Sequence, residues 1–563
     1  MTRLMLMLAG ASLSAWLHAK PPEFGVIFPG GGQVGTSFEI STTITNKPVS
    51  EWWTSAPGVT FTATDKPEKW KVTIPAETPI GLYPIARRNA EGVSSTRWFS
   101  VGRFPEIVEA EPNNGYSTSQ SIASLPVCVN ARLGEGNDVD HFKVALKSGQ
   151  TLVGMVEAYS IGSNVDVMAH VVGPDGTRIH TTSDHRNLDP LIVFTAPADG
   201  EYTVQIAGFA HPPQANVNYA GGAAVVYRLH LTTGPVVTHF HPFAVSTDHP
   251  TKVTLQGHNL DPSKREITIE PNAPRVSGGM SLVDLPDALV PLKALRIQGI
   301  PAQEQEADDS LAHGTVIQQG FVGGVISDVN DKDRYAIEMK KGMKLQAKVY
   351  AAVLGLLLDA TLQVLGPDGK QLGENDDYNG TPDPRVIWTA PADGLYQIVV
   401  QDTLQQGGSG CHYVLEVSPP RASVEITLAA SQTLSLQTGG NTSVKFAVKR
   451  LDGWNKPLVA RVSGLPTGVS CPEVRLGEKD TEVEIKFSAT QEVSLGNHLL
   501  TFGFEPAPVE GQPSQGTGEK IPVSISLRGE SARGSSLLDV TDSLWLSVLP
   551  SAGVPKDASV PQP

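Results

Sequence analysis

The residues best suited to chemistry are short runs of alternating acids. Glu109, Glu111 and Asn113 alternate, and Asp138 and Asp140 alternate again further along. In an extended strand every second side chain falls on one face, so each run would present its oxygens together. The pattern returns as Glu304, Glu306 and Asp308, followed by Asp331 and Asp333. Carboxylates brought together this way repel one another unless a cation sits between them. Calcium takes about 6–8 oxygen ligands from carboxylates, amides and backbone carbonyls. Two such strands side by side would hold Ca2+ at each run. The competing reading is a set of solvated strand faces and turn-forming acids.

Three further groups invite the same question. Asp184 and Asp189, matched later by Asp376, Asp377 and Asp383, form a second acidic set, though loop aspartates commonly cap turns. His239 and His241 alternate on one strand, with His249 and His258 nearby, and imidazoles of this kind could hold zinc. No cysteine or carboxylate completes that set at a suggestive spacing. The adjacent Trp52 and Trp53, and Trp454 in a Gly-Trp-Asn turn, could form a platform for carbohydrate or another polymer. Adjacent strand residues face opposite ways, so one of the first two belongs in a core.

A search for catalytic apparatus finds none of the local signatures. There is no Gly-x-Ser-x-Gly elbow, no His-Glu-x-x-His helix, no P-loop and no dinucleotide fingerprint. A triad dispersed along the chain would leave no such signature, because triads are defined by geometry.

The elements that must position these residues are duplicated. Gly173-Pro-Asp-Gly176, followed by Thr195-Ala-Pro-Ala-Asp-Gly-Glu-Tyr202, returns as Gly366-Pro-Asp-Gly369 and Thr389-Ala-Pro-Ala-Asp-Gly-Leu-Tyr396. Upstream, Asn137-Asp-Val-Asp-His-Phe142 returns as Asn330-Asp-Lys-Asp-Arg-Tyr335. The pairs Asp138/Asp331, Asp166/Asp359 and Gly173/Gly366 sit at one constant offset. Pro-Asp-Gly is a hairpin turn in which Pro fixes φ and Gly accepts positive φ. The repeated glycines and prolines are therefore read as scaffold. Alternating runs such as Ser37–Ile44, Thr442–Val448 and Glu482–Phe487, together with sparse aromatics and abundant Val and Thr, predict many short strands and no helical period.

With 563 residues, and ~150 residues per domain as a guide, the chain holds at least about four domains, more if they are small β-units. Arg3 followed by the apolar Leu4–Leu17 stretch and Ala19 reads as a secretory signal at 1–19, too short to span a bilayer. No later segment reads as a transmembrane helix. Cys128, Cys411 and Cys471 fall in different units, so a disulfide framework is not expected and each reads as a small buried apolar residue. The net charge of −15 disfavours nucleic acid and anionic membrane surfaces as partners.

The duplicated units resemble the bacterial pre-peptidase C-terminal (PPC) domain. The resemblance rests on Glu109-Ala-Glu-Pro-Asn-Asn114, Gly136-Asn-Asp-Val-Asp-His-Phe142, Gly173-Pro-Asp-Gly176 and Phe194-Thr-Ala-Pro-Ala-Asp-Gly-Glu-Tyr202. The second copy lacks the Pro and both Asn of the opening motif. The resemblance implies jelly-roll-like β-sandwiches of a kind appended to secreted peptidases. Related collagen-binding modules place calcium ligands in a comparable acidic segment. Pro29-Gly-Gly31 with Thr78-Pro-Ile-Gly81, and Gly257-His-Asn-Leu260, are similar to IPT/TIG-type immunoglobulin-like domains. The expected fold class is all-β, in tandem β-sandwiches. After the signal come an immunoglobulin-like domain at 20–103, PPC units at 104–233 and 299–419 separated by an immunoglobulin-like segment at 234–298, a C-terminal sandwich at 420–548 and a disordered tail at 549–563.

The expected function is a non-catalytic, multi-modular binding or adhesion protein, secreted, periplasmic or on a bacterial cell surface, that recognises an extracytoplasmic polymer or protein. The alternatives are an accessory protein of a secreted peptidase system and a structural spacer of the cell envelope.

Overall fold

The computed structural model describes residues 21–551 apart from 46–50, 187, 212, 214, 216–217, 273–274, 278–279, 304–313, 379–380, 409, 429–432, 508–520, 522 and 532–533. The signal at 1–19 and nearly all of the tail lie outside the described residues, as do Glu304, Glu306 and Asp308. Among the described residues there are strands and single 3-10 turns and no α-helix.

Among the described residues the strands pair into ten sheets, two to each of five successive stretches of chain. The stretch 106–232 holds two five-stranded sheets. In one, Glu106–Val108, Val127–Arg132, Val226–Thr232, Thr151–Glu157 and Leu191–Thr195 lie in that order; in the other, Gln120–Ser121, Asp140–Leu146, Gly200–Ala210, Val165–Val172 and Arg178–Thr182. The stretch 302–418 repeats both orders strand for strand. Alternation explains the packing: in Val165–Val172, Val165, Val167, Ala169 and Val171 are fully buried and join Phe142, Tyr202, Val204 and Leu229 in one core between the two sheets.

The duplicated turn residues act as scaffold. In each copy the Gly-Pro-Asp-Gly turn closes with a bond from its last Gly N–H to its first Gly carbonyl, 2.9 Å in both. Those last glycines, Gly176 and Gly369, have φ of 80° and 76°. Tyr202 and Tyr396 each donate to the carbonyl four residues back, at 2.8 Å. The second acidic set is likewise structural in part. Asp189 accepts the backbone N–H groups of Ala158, Tyr159 and Ser160, and Asp383 accepts those of Ala351, Ala352 and Val353. Each buried carboxylate thereby satisfies three amides at the start of a 3-10 turn. Asp184, Asp376 and Asp377 stay exposed in loops.

Each of these stretches docks on the sandwich that precedes it through the same 3-10 turn. Ile161 packs with Val226 against Trp98 of the 23–102 sandwich, and its counterpart Leu354 packs with Val414 into the core of the 236–297 unit. The ends of the chain also meet. Trp53 stacks edge-on against Trp545 at 5.2 Å, over buried Ala86 and Val93, while Asn497 Nδ2 donates to the Asn89 carbonyl.

These contacts overturn the tryptophan platform. Trp52 faces the first core, stacked on Phe61 at 4.1 Å, and with Trp70 it encloses the guanidinium of fully buried Arg87 at 4.2 and 4.1 Å. Burial without a carboxylate partner pulls that guanidinium down to about 9. Trp53 is committed to Trp545, and Trp454 is buried with its indole N–H on the Lys456 carbonyl. Paired alternation assigned one Trp to a core; the second is taken by a partner almost the whole chain away. Of the cysteines, Cys128 and Cys411 are buried and Cys471 is half-exposed, all three unpaired.

Candidate functional site

The acidic run at the head of the first copy converges as an oxygen cluster. Carboxylate oxygens of Glu109, Glu111 and Asp140 lie within 4.8 Å of one another, the one such trio of His, Cys, Asp or Glu among the described residues. Asp140 opens the strand Asp140–Leu146 and is completely buried. Its Oδ2 accepts the phenol of Tyr227 at 2.5 Å, and its Oδ1 is buried with no hydrogen-bond partner. Glu109 follows the edge strand Glu106–Val108; its Oε1 accepts the Arg132 N–H, and its Oε2 is buried without a partner. Glu111 reaches the same point from the solvent side, with Oε2 accepting the Asn113 N–H. Asn113 is fully buried beside them, and both polar atoms of its side chain lack partners.

Asp138 lies against the cluster with its carboxylate turned to the backbone. Asn137 adopts φ 69°, and Asp138 then accepts the N–H groups of Gly134 and Val139. In the Asn-Asp-x-Asp motif, the Asn supplies the left-handed residue, the first Asp closes the turn and the second enters the core.

Burial is the main electrostatic force here. Desolvation drives the Asp140 carboxyl up to about 9, against the hydrogen bond from Tyr227, with the negative charges of Glu109, Asp138 and Glu111 adding to the rise. Glu109 rises to about 7 for the same first reason, with Glu111 and Asp138 again contributing. Without a cation, this cluster holds protons at neutral pH.

The second copy keeps the inner half. Asn330 has φ 66°, Asp331 accepts the Ser327 N–H at 2.6 Å, and Tyr413 donates to Asp333 Oδ2 at 2.5 Å. Its outer residues Glu304, Glu306 and Asp308 lie outside the described residues. The tyrosines were missed from sequence. Their signal was available, since Val226-Tyr-Arg-Leu and His412-Tyr-Val-Leu occupy the same strand of each copy.

The histidines do not form a zinc site. His239 meets His185 and His412 at ring centroid distances of 5.6 and 5.5 Å, and His241 meets His412 at 5.6 Å. No three of their nitrogens converge within 4.8 Å. His249 is apart from them, paired on the surface with Asp248 at 3.0 Å.

A second buried polar group was not foreseen. Arg228 bonds Glu106, Glu157 and Asn130, and His230 bonds Glu157 at 2.9 Å. Ser100 of the preceding sandwich donates to the same Glu157. Cys128 Sγ lies 3.9 Å from His230 Nε2. Thiol, imidazole and carboxylate are thus together, but both contacts use Nε2 and all three groups are buried. A nucleophile–base–orienter relay would require the two ring nitrogens to act separately, so this group is an interdomain ionic joint. In the second copy the same registers hold Tyr350, Val414 and Glu416, linked by one Tyr350–Glu416 hydrogen bond.

Residues 138–208 match the family model of the bacterial pre-peptidase C-terminal domain. No curated protein matches the chain. Solved structures similar to parts of it include the pre-peptidase C-terminal domain of collagenase from Bacillus anthracis, at 11% identity over 21% of this chain and 94% of that one, with a TM-score of 0.16. They also include a periplasmic inhibitor of g-type lysozyme from Aeromonas hydrophila, at 18% identity over 21% and 96%, TM-score 0.15. A third is SGBP-B of a Bacteroides ovatus mixed-linkage glucan utilization locus, at 12% identity over 69% and 74%, TM-score 0.14. Among the described residues, no helix is long and apolar enough to cross a membrane. Residues 138–208 are thus identified with the bacterial pre-peptidase C-terminal domain, set in a chain of tandem β-sandwiches.

Proposed function

We propose that this chain is a secreted, non-catalytic binding protein that recognises an extracytoplasmic polymer or protein, and that calcium stiffens its pre-peptidase C-terminal domain. The observation that carries the calcium reading is the pair of buried, unpartnered oxygens, Asp140 Oδ1 and Glu109 Oε2, within a trio of convergent carboxylates. The donor set is all oxygen, which suits calcium and gives zinc or copper no nitrogen or sulfur ligand. Glu109, Glu111 and Asp140 would hold the ion, with the Asn113 amide as the neutral donor beside them. The ion would supply the positive charge that lets these acids ionise together, tying the head of the domain to the strand Asp140–Leu146. No chemical step is assigned to it.

Two measurements test the proposal. A ligand of the native state alone must raise stability, so millimolar calcium should raise the melting temperature and Asp140→Asn should abolish the rise. No shift with calcium overturns the calcium reading. Retention of the full chain on insoluble collagen, chitin or cell wall tests the binding reading, and loss of all retention, with and without calcium, overturns it. Hydrolysis of casein by the pure chain, removed by a point substitution, would make it an enzyme instead.

A further inference from the structure

Three units meet at a junction lined with imidazoles. His185 comes from the loop after Arg178–Thr182 in the first copy, His239 and His241 from the strand Val236–His241, and His412 from the last strand of the second copy. Their rings form a continuous chain, His185 on His239, His239 on His412 and His412 on His241, each contact between 5.5 and 5.6 Å. Phe243 closes the stack, 6.1 Å from His239 and 5.4 Å from His412. His239 Nδ1 pairs with the Thr238 hydroxyl and His412 Nε2 with the Gln256 amide, both neutral partners, while His241 Nδ1 is buried with no partner.

No carboxylate acts on His185, His239 or His241. The charges acting on His185 are Arg186 and His258, both of like sign when the ring is protonated, and Arg186 is itself offset by Glu157 and Asp189. His239 is acted on by His185 and His258, and His241 by burial alone. From the second copy, Cys411 borders His412, its thiol raised by burial and Asp402.

We propose that this junction is an acid-opened hinge, in which protonation of His185, His239 and His241 parts the 106–232, 236–297 and 302–418 units while each unit stays folded. A proton on His185, His239 or His241 finds no counter-ion, and protons on His185 and His239 repel across less than 6 Å. Opening lets each imidazolium reach water. Burial holds His185, His239 and His241 each at about 4, below the ordinary 6.5. A depressed value means that the closed junction is fully favoured above the ordinary value and loses that advantage as pH falls from 6.5 toward 4. Three rings titrating together make the transition steeper than one histidine gives.

The test is small-angle scattering of the full chain at about pH 7 and about pH 4.5, with hydrogen exchange corrected for intrinsic rates. The radius of gyration should rise reversibly in acid. Protection should fall in peptides covering 236–243 and 410–414 but hold in 140–146 and 200–210. The triple variant His185→Phe, His239→Phe and His241→Phe should stay compact in acid. An unchanged radius in wild type, or an identical transition in the variant, overturns the proposal. If the triple variant misfolds, the wild-type exchange pattern decides alone: uniform loss of protection, or none at the junction, is equally fatal.

Discussion

Tyr227 donates its phenol to Asp140 at 2.5 Å, and Tyr413 donates to Asp333 at the same distance. The two tyrosines hold one register, each on the last strand of its copy, opposite the strand that carries the acid at or near its start. A buried carboxyl that keeps one hydrogen bond in both copies is being aimed. In the first copy, its other oxygen is buried without a partner, and the carboxyl groups with those of Glu109 and Glu111.

Removing the phenol should test the aim. Tyr227→Phe deletes one hydrogen bond to a buried carboxyl and should cost about 1–3 kcal/mol, measured by urea denaturation without calcium. It should also weaken calcium binding several-fold in titration calorimetry. Unchanged stability and affinity would show that the bond aims nothing.

Proton release should accompany calcium binding, since the ion competes with protons on its ligands. Asp140 sits at about 9 and Glu109 at about 7 without the ion. Calorimetry in buffers of different ionisation enthalpy should therefore detect release at neutral pH, fading as pH rises through 9. The sign for stability follows: these folded values are raised, so the calcium-free domain is most stable below the ordinary carboxyl range and loses stability as pH rises through 7 and then 9. Calcium should flatten that slope.

The ionic joint makes an asymmetric prediction. Arg228→Met removes one of the two cations on buried Glu157 and the partner of Glu106, and should cost about 3–5 kcal/mol. Adding Glu157→Gln should recover much of that, because the second copy builds the same interface with Val414 and Tyr350. Chemical denaturation of the single and double variants would decide it. Burial opposes the charge on Glu157, but His230, Arg228 and Ser100 outweigh it and hold the carboxyl near 2. Burial opposes the charge on His230 as well, yet Cys128 and Glu157 raise it to about 10. The joint should accordingly weaken as pH falls below 4.5 toward 2, or rises above 6.5 toward 10.

Trp545→Ala should detach the last sandwich from the first. The variant should keep its β-sheet circular dichroism while small-angle scattering reports a larger radius of gyration. An unchanged radius would mean that the Asn497–Asn89 hydrogen bond and the remaining surface hold the contact unaided.

Local rules made the scaffold legible before any coordinates. Period-two patterning and Pro-Asp-Gly turns named the strands, and the duplication showed where a sandwich recurs. Of the acids singled out in the first copy, Glu109, Glu111 and Asp140 lie together, while Asp138, which alternates with Asp140, turns to the backbone. Long-range partners were not legible. Nothing near Asp140 announces Tyr227, and nothing near Glu157 announces Arg228 and His230, since cross-strand register joins them over long stretches of chain. The tryptophans misled for the same reason. An aromatic pair reads identically whether its outer member meets solvent or a domain almost five hundred residues away.

That last contact bears on the order in which the molecule matures. Domains of a growing chain fold one by one, beginning at the N-terminus. Trp53 therefore waits, uncovered, through the folding of every later sandwich until Trp545 exists to meet it. Closing so large a loop adds little entropic cost beyond closing a moderate one, because the cost grows only with the logarithm of its length. Two indoles and a hydrogen bond can thus act as a completion signal. A chain cut short by a protease or a stalled ribosome would expose an indole that the intact molecule hides.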